Sequence, residues 1–167
     1  MKHWKPAAIA ALWSGALYAA PMPVVASFSI LGDVAQQIGG ERVAVQNLVG
    51  ANQDAHVYNL TSGDIKKIRE ARLVLLNGLG LEKAELQRAV KQSKVASAEA
   101  TAGIKPLAAD EHDHSHEHDH DHGEFDPHVW NDPVLMQRYA ANAAIALIKA
   151  DPAGSRYYQQ RFKDYQN

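Results

Sequence analysis

The chain has 167 residues, a length that favours a single domain. Its 17 basic and 19 acidic residues leave a net charge of −2, which argues against a nucleic-acid-binding surface, since such surfaces concentrate basic residues. It has no cysteine, so neither disulfides nor a lipid-carrying thiol can be placed.

Lys2, His3 and Lys5 open the chain, and Ala7 to Ala20 follows without a charge. The run is shorter than the roughly 20 apolar residues that span a bilayer. It reads as a secretory signal peptide over residues 1–20, cleaved near Ala19 or Ala20, although Leu17 or Tyr18 makes the small-residue position imperfect. A protein exported to the bacterial periplasm is predicted. Loss of Lys2 and Lys5 with the leader brings the mature charge to about −4.

From Val24 the pattern alternates. Val24 to Ile30 is apolar and β-branched, as a buried strand requires. Gly32 to Ile38 is predicted helical, stopped by Gly39 and Gly40. Val43 to Val49 is a second strand bounded by Gly50. Ser62 to Glu70 is a helix capped by Thr61 or Ser62. Leu73 to Leu76 is a third strand closed by Asn77-Gly78, Leu81 to Gln92 has helical spacing, and Val95 to Ala98 makes a short fourth strand. Such βαβ alternation predicts an α/β fold with a mainly parallel four-stranded sheet flanked by helices.

Thr101 to Glu124 reads as a polar linker. Asp132-Pro133 and Asp151-Pro152 then each pair an N-cap acid with proline at the first helical position, predicting helices from Pro133 to about Ala150 and from Pro152 onward. No closing turn precedes Asn167, which hints that the sequence continues.

The linker holds an acidic, histidine-rich run over 108–124. His112, His114, His116, His118, His120 and His122 stand at every second position among Asp, Glu and Ser. Imidazole suits zinc, copper and nickel, and such tracts bind metal. His116 to His120 formally matches H-E-x-x-H, the metallopeptidase helix motif. No apolar stripe is present to bury a helix there, so catalysis is not expected.

Two further histidines stand in less repetitive contexts. Ligands bind parallel sheets at the carboxyl ends of the strands. His56 follows the second strand at that edge, where Gly78 and Gly80 after the third strand also lie. His128 precedes the Asp132-capped helix and joins His56 if its connection returns to the same edge.

His56-Val57-Tyr58-Asn59-Leu60-Thr61-Ser62-Gly63-Asp64, Asn77-Gly78-Leu79-Gly80-Leu81-Glu82 and Asp126-Pro127-His128-Val129-Trp130-Asn131-Asp132-Pro133 together resemble motifs of the solute-binding proteins of zinc and manganese ABC importers, the ZnuA/TroA-like family. The acidic histidine run before the last motif resembles the zinc branch. The resemblance covers Val24 to Asn167. It implies two α/β lobes joined by a long helix, with metal held between them. His56 and His128 would be the ligands of the N-terminal lobe, residues 24–150, and 151–167 would begin the connector. A further His and an acid would come from a second lobe absent from these residues. Ala55 stands where some zinc members carry an additional acid.

The implied function is Zn²⁺ capture, with Mn²⁺ less favoured, for delivery to an inner-membrane ABC permease by a monomeric protein. The alternative is a periplasmic zinc chaperone or buffer that uses the histidine run. With two ligands alone, metal would be held weakly, with water or the run completing the shell. The connector helix would lack a lobe to pack on, and apolar surface would face water.

Overall fold

The computed structural model describes residues 20–105 and 125–167. The leader residues 1–19 and the histidine positions 112–122 lie outside the described residues. Four strands, β1 (Met22–Phe28), β2 (Val43–Val49), β3 (Leu73–Leu76) and β4 (Ala96–Glu99), form one sheet in the order β2-β1-β3-β4. Every pairing is parallel, with Val24 opposite both Val45 and Leu73, and Leu73 opposite Ala96. The helices are α1 (Ser29–Gly39), α2 (Ser62–Glu70), α3 (Ala84–Ser93), α4 (Pro133–Ala150) and α5 (Ser155–Tyr165).

Strand alternation divides the core in two. Val24, Ala26, Phe28, Leu73 and Leu75 face α1, α4 and α5, where Leu31, Ile38, Tyr139, Leu147 and Tyr158 are buried. Val25, Val74 and Leu76 face α2 and α3 through Ile68, Leu86 and Val90. A sheet covered on both faces explains why β1 and β3 read as unbroken apolar runs. Helix α4 lies close to the sheet because Ala140, Ala143 and Ala146 are small.

Two helix starts follow the predicted chemistry. Thr61 caps α2 in a reciprocal box: its Oγ1 accepts the Asp64 N–H, while the Asp64 side chain accepts the Thr61 N–H. Asp132 caps α4 by accepting from the N–H groups of Val134 and Leu135, with Pro133 in the first turn.

Other boundaries differ. The first strand runs from Met22 to Phe28, so Ser29 and Ile30 begin α1. Helix α3 starts at Ala84 rather than Leu81, because Gly78, Leu79 and Gly80 take three consecutive positive φ angles and the chain is still turning. The beginning of the expected polar linker is packed: Thr101 and Ile104 are buried.

The largest correction concerns Asp151. It caps no helix with its side chain. Pro152–Gly154 forms a single 3-10 turn and α5 begins at Ser155. The Asp151 carboxylate instead accepts from Arg42 Nη2 (2.7 Å), Arg42 Nε (3.0 Å) and the Tyr158 hydroxyl (2.7 Å). An acid with a neighbouring guanidinium and phenol gains more from them than from two backbone N–H groups. The segment expected to begin a connector also has a packing partner here. Tyr158 is fully buried against the face of the lobe that holds α1 and α4, and Arg161 Nε donates to the Gln37 carbonyl at 2.8 Å.

Candidate metal centre

His56 and His128 meet at the carboxyl edge of the sheet. Their Nε2 atoms are 3.0 Å apart and their ring centroids 5.0 Å apart. Each histidine follows an aspartate by two positions, and each aspartate accepts that histidine's backbone N–H: Asp54 Oδ1 at 2.8 Å from His56 N, Asp126 Oδ1 at 2.9 Å from His128 N. These are Asx turns, which bend the chain sharply and aim the following side chain without needing a strand or helix.

Asp126 Oδ1 also lies 2.6 Å from His128 Nδ1. The His128 backbone N–H pulls the Asp126 pKa below the ordinary carboxylate value; burial opposes this and the His128 ring adds to it. An ionised carboxylate only accepts, so the Nδ1 atom carries a proton, which in the neutral ring leaves Nε2 as the acceptor on the side of His56. A carboxylate on the far nitrogen of a histidine is the usual way to orient a metal-binding imidazole. Trp130 packs edge-on to the His128 ring at 5.2 Å and is backed by Phe28 at 4.8 Å, which restrains the ring from the side.

The loop carrying His56 is tied down below the histidine. The Tyr58 hydroxyl donates to Asp64 Oδ2 at 2.8 Å, the Thr61 hydroxyl to the same oxygen at 2.6 Å, and Lys67 Nζ to Oδ1 at 3.1 Å. Asp64 is 2% exposed. Burial alone would raise its pKa, but the bonds from Thr61, Tyr58 and Lys67 outweigh it and hold the pKa at about 2. A small cavity of about 220 Å³ opens beside the pair, lined by Asp126, His128, Val129 and Leu135 among others. Ile30, Val57, Phe125 and Val134 are exposed apolar residues in the segments after β1, after β2 and around His128, in keeping with the expected apolar surface.

Sequence reasoning placed His56 at this edge and His128 there only if its connection returned to it; the connection does return, and the structure brings the two together. Asp126 was readable as a candidate acid for a ring's second N–H and stands on His128 Nδ1, but the rest of what holds the pair was missed. Asn77 and Glu82 are buried in the turn after β3, and Lys83 reaches the His56 loop. The available signals were a polar pair closing an all-apolar strand and the repeated Asp-x-His spacing at 54–56 and 126–128. Gly78 is a true close approach: a Cβ there would sit 2.5 Å from Thr101 Oγ1, at a φ of +88°. Among the described residues no third His, Cys, Asp or Glu joins the pair in a metal-holding group.

Residues 24–167 match the family described as the periplasmic component A of the zinc-uptake complex, ZnuA. The chain belongs to that family. It is 33% identical over 145 residues to the manganese-binding lipoprotein MntA of Halalkalibacterium halodurans, covering 86% of this chain and 45% of that protein. It is 33% identical over 142 residues to the iron-binding protein YfeA of Yersinia pestis, covering 85% and 43%. A periplasmic metal-binding protein from Candidatus Liberibacter asiaticus superposes with a TM-score of 0.74 at 33% identity, over 86% of this chain and 50% of that one. The chain thus spans about half the length of the ZnuA-family proteins it matches. The parallel four-stranded α/β lobe expected from the sequence is the fold that this neighbour shares over that half.

Proposed function

We propose that this chain captures Zn²⁺ in the periplasm for delivery to an inner-membrane ABC permease, with His56 and His128 supplying two imidazole ligands. The observation that carries the reading is the 3.0 Å separation of their Nε2 atoms, with the His128 Nδ1 atom on Asp126. Zinc–imidazole bonds of about 2.0–2.1 Å put neighbouring nitrogens of a tetrahedral site about 3.3 Å apart. The pair needs to open by only about 0.3 Å to grip such an ion. Two ligands leave positions open for further donors, and a cargo site must exchange its metal.

Zinc is favoured over manganese by the donor chemistry. Imidazole suits zinc, whereas manganese prefers harder oxygen ligands, and the histidine run over 112–122 adds nitrogen donors. The manganese and iron in the relatives' names belong to those proteins. Export is supported by the basic and apolar leader over 1–20 and by relatives described as lipoproteins. Residues 24–150 act as the metal-binding lobe and 151–167 as the start of the connector.

Chelator-competition titrations with Zn²⁺ and Mn²⁺ test the reading. They compare the parent chain with His56→Ala, His128→Ala, the double variant and a deletion of 112–122. The expected result is loss of the tightest Zn²⁺ site in the double variant, with the deletion removing only weaker sites. A double variant that keeps that site refutes the assignment. Tighter binding of Mn²⁺ than of Zn²⁺ refutes the metal preference.

A further inference from the structure

The turn between β3 and α3 contributes no candidate ligand, yet it grips a residue beside each histidine. At its start, Asn77 is completely buried, and its Nδ2 donates to the carbonyl of Pro127 at 3.1 Å, one residue before His128. At its end, Lys83 Nζ donates to the carbonyl of Val57 at 3.0 Å, one residue after His56, and to Asn59 Oδ1 at 3.1 Å. Among the described residues no backbone–backbone hydrogen bond joins the two histidine loops directly.

The grip at Asn77 has one orientation. Its Oδ1 accepts from the buried Tyr139 hydroxyl at 2.9 Å, while its Nδ2 also donates to the Gly78 carbonyl at 2.9 Å. Flipping the amide would face an NH₂ group with a donor and an oxygen with two carbonyls. The turn itself is braced by buried Glu82. Its Oε1 accepts from Asn77 N (2.6 Å) and Ser27 Oγ (2.6 Å), and its Oε2 from Gly78 N (3.0 Å). Ser27 lies on β1 and Tyr139 on α4, so the turn is anchored to the central strand and to the helix that follows His128.

We propose that the Asn77–Lys83 turn is a spacer that sets the separation of His56 and His128, with Asn77 and Lys83 as positioning residues for metal capture. The proposal rests on the reading of the two histidines as ligands. Its physical basis is tolerance: the difference between the observed spacing and a tetrahedral one is about 0.3 Å. A loop released from its grip wanders by more than that.

Lys83→Met tests it without threatening the core. It keeps the aliphatic stem of a half-buried side chain and removes the ammonium group that makes both hydrogen bonds. Lys83→Arg keeps donors within reach. Asn77→Asp is isosteric but turns the donor facing two carbonyls into an acceptor. Two readouts are taken on the full chain: the NOE between the His56 and His128 ring protons without metal, and Zn²⁺ affinity of the tightest site by chelator competition. In Lys83→Met the NOE should weaken and affinity fall about tenfold, the scale of losses on removing outer-shell partners, at unchanged circular dichroism. Lys83→Arg should recover most of both, and folded Asn77→Asp should lose more. Parent-like NOE and affinity within twofold of the parent in Lys83→Met overturn the proposal, whether or not Asn77→Asp folds. A His56→Ala/His128→Ala variant with parent affinity overturns the ligand reading instead, while NOE loss in Lys83→Met would still establish the spacing role.

Discussion

Replacing Asp64 by Asn should remove a pH-dependent part of the stability of the lobe. The carboxylate is buried beneath the His56 loop and accepts from Tyr58, Thr61 and Lys67. Its pKa in the folded chain is about 2, against an ordinary value of 3.8. At 1.36 kcal/mol per unit, that depression corresponds to about 2 kcal/mol of stabilisation. The folded state holds the proton less tightly than the unfolded chain does, so the contribution is complete well above the unfolded pKa. It declines as pH falls through the range between the two values. About half of it should remain at pH 3. Urea denaturation of parent and Asp64→Asn at pH 7, 5, 4 and 3 measures this. A midpoint difference of about 1 M is expected at pH 7, unchanged at pH 5 and clearly smaller at pH 3. A difference that stays constant down to pH 3 would refute the argument, because the loss would then come from packing or capping rather than from the ionised group.

The orienting carboxylate at Asp126 predicts a graded series: Asp126→Ala should weaken the tightest Zn²⁺ site by about 10- to 100-fold in competition titrations, whereas Asp126→Asn, whose oxygen still accepts from Nδ1, should lose much less. Tyr158→Phe removes a hydroxyl bonded to Asp151 in a fully buried side chain and should cost about 1 kcal/mol in urea unfolding. Gly39→Ala should destabilise the chain by about 1–3 kcal/mol despite alanine's better helix propensity, since the new Cβ would meet a Val43 methyl carbon at 2.2 Å. A thermal midpoint equal to or above the parent's would contradict that clash.

The elements whose ends carry their own chemistry were legible in the sequence. Both α2 and α4 start where Thr61 and Asp132 announce them, and β2 and β3 are bounded by glycine or Asn-Gly. The failures came where a distant partner decided the local structure. Asp151-Pro152 is a good local helix start, but Arg42 and Tyr158, remote in sequence or in the next helix, take the carboxylate. Leu81 fits a helical stripe, yet it belongs to a turn that Glu82 closes from Ser27 and Asn77. At the site, the type of each histidine and its strand edge were readable. Of the supports, the Asp-x-His spacing at Asp126 was readable too, but Lys83 and Asn77 were not, because a lysine bonding a carbonyl and a buried asparagine leave no periodic trace.

The two outer strands of the sheet carry a consequence for life at high concentration. An unpaired parallel edge is an invitation to another chain. Here one edge is β4, four residues of Ala-Ser-Ala-Glu that are mostly exposed, and the other is β2, whose Gln46 and Asn47 face solvent. Alanine, serine and glutamate make poor strand formers, and a glutamate on the rim repels a copy of itself laid alongside. The β4 rim is thereby discouraged from extending its sheet into a neighbouring copy, even though the edge that carries the two histidines keeps apolar side chains in water.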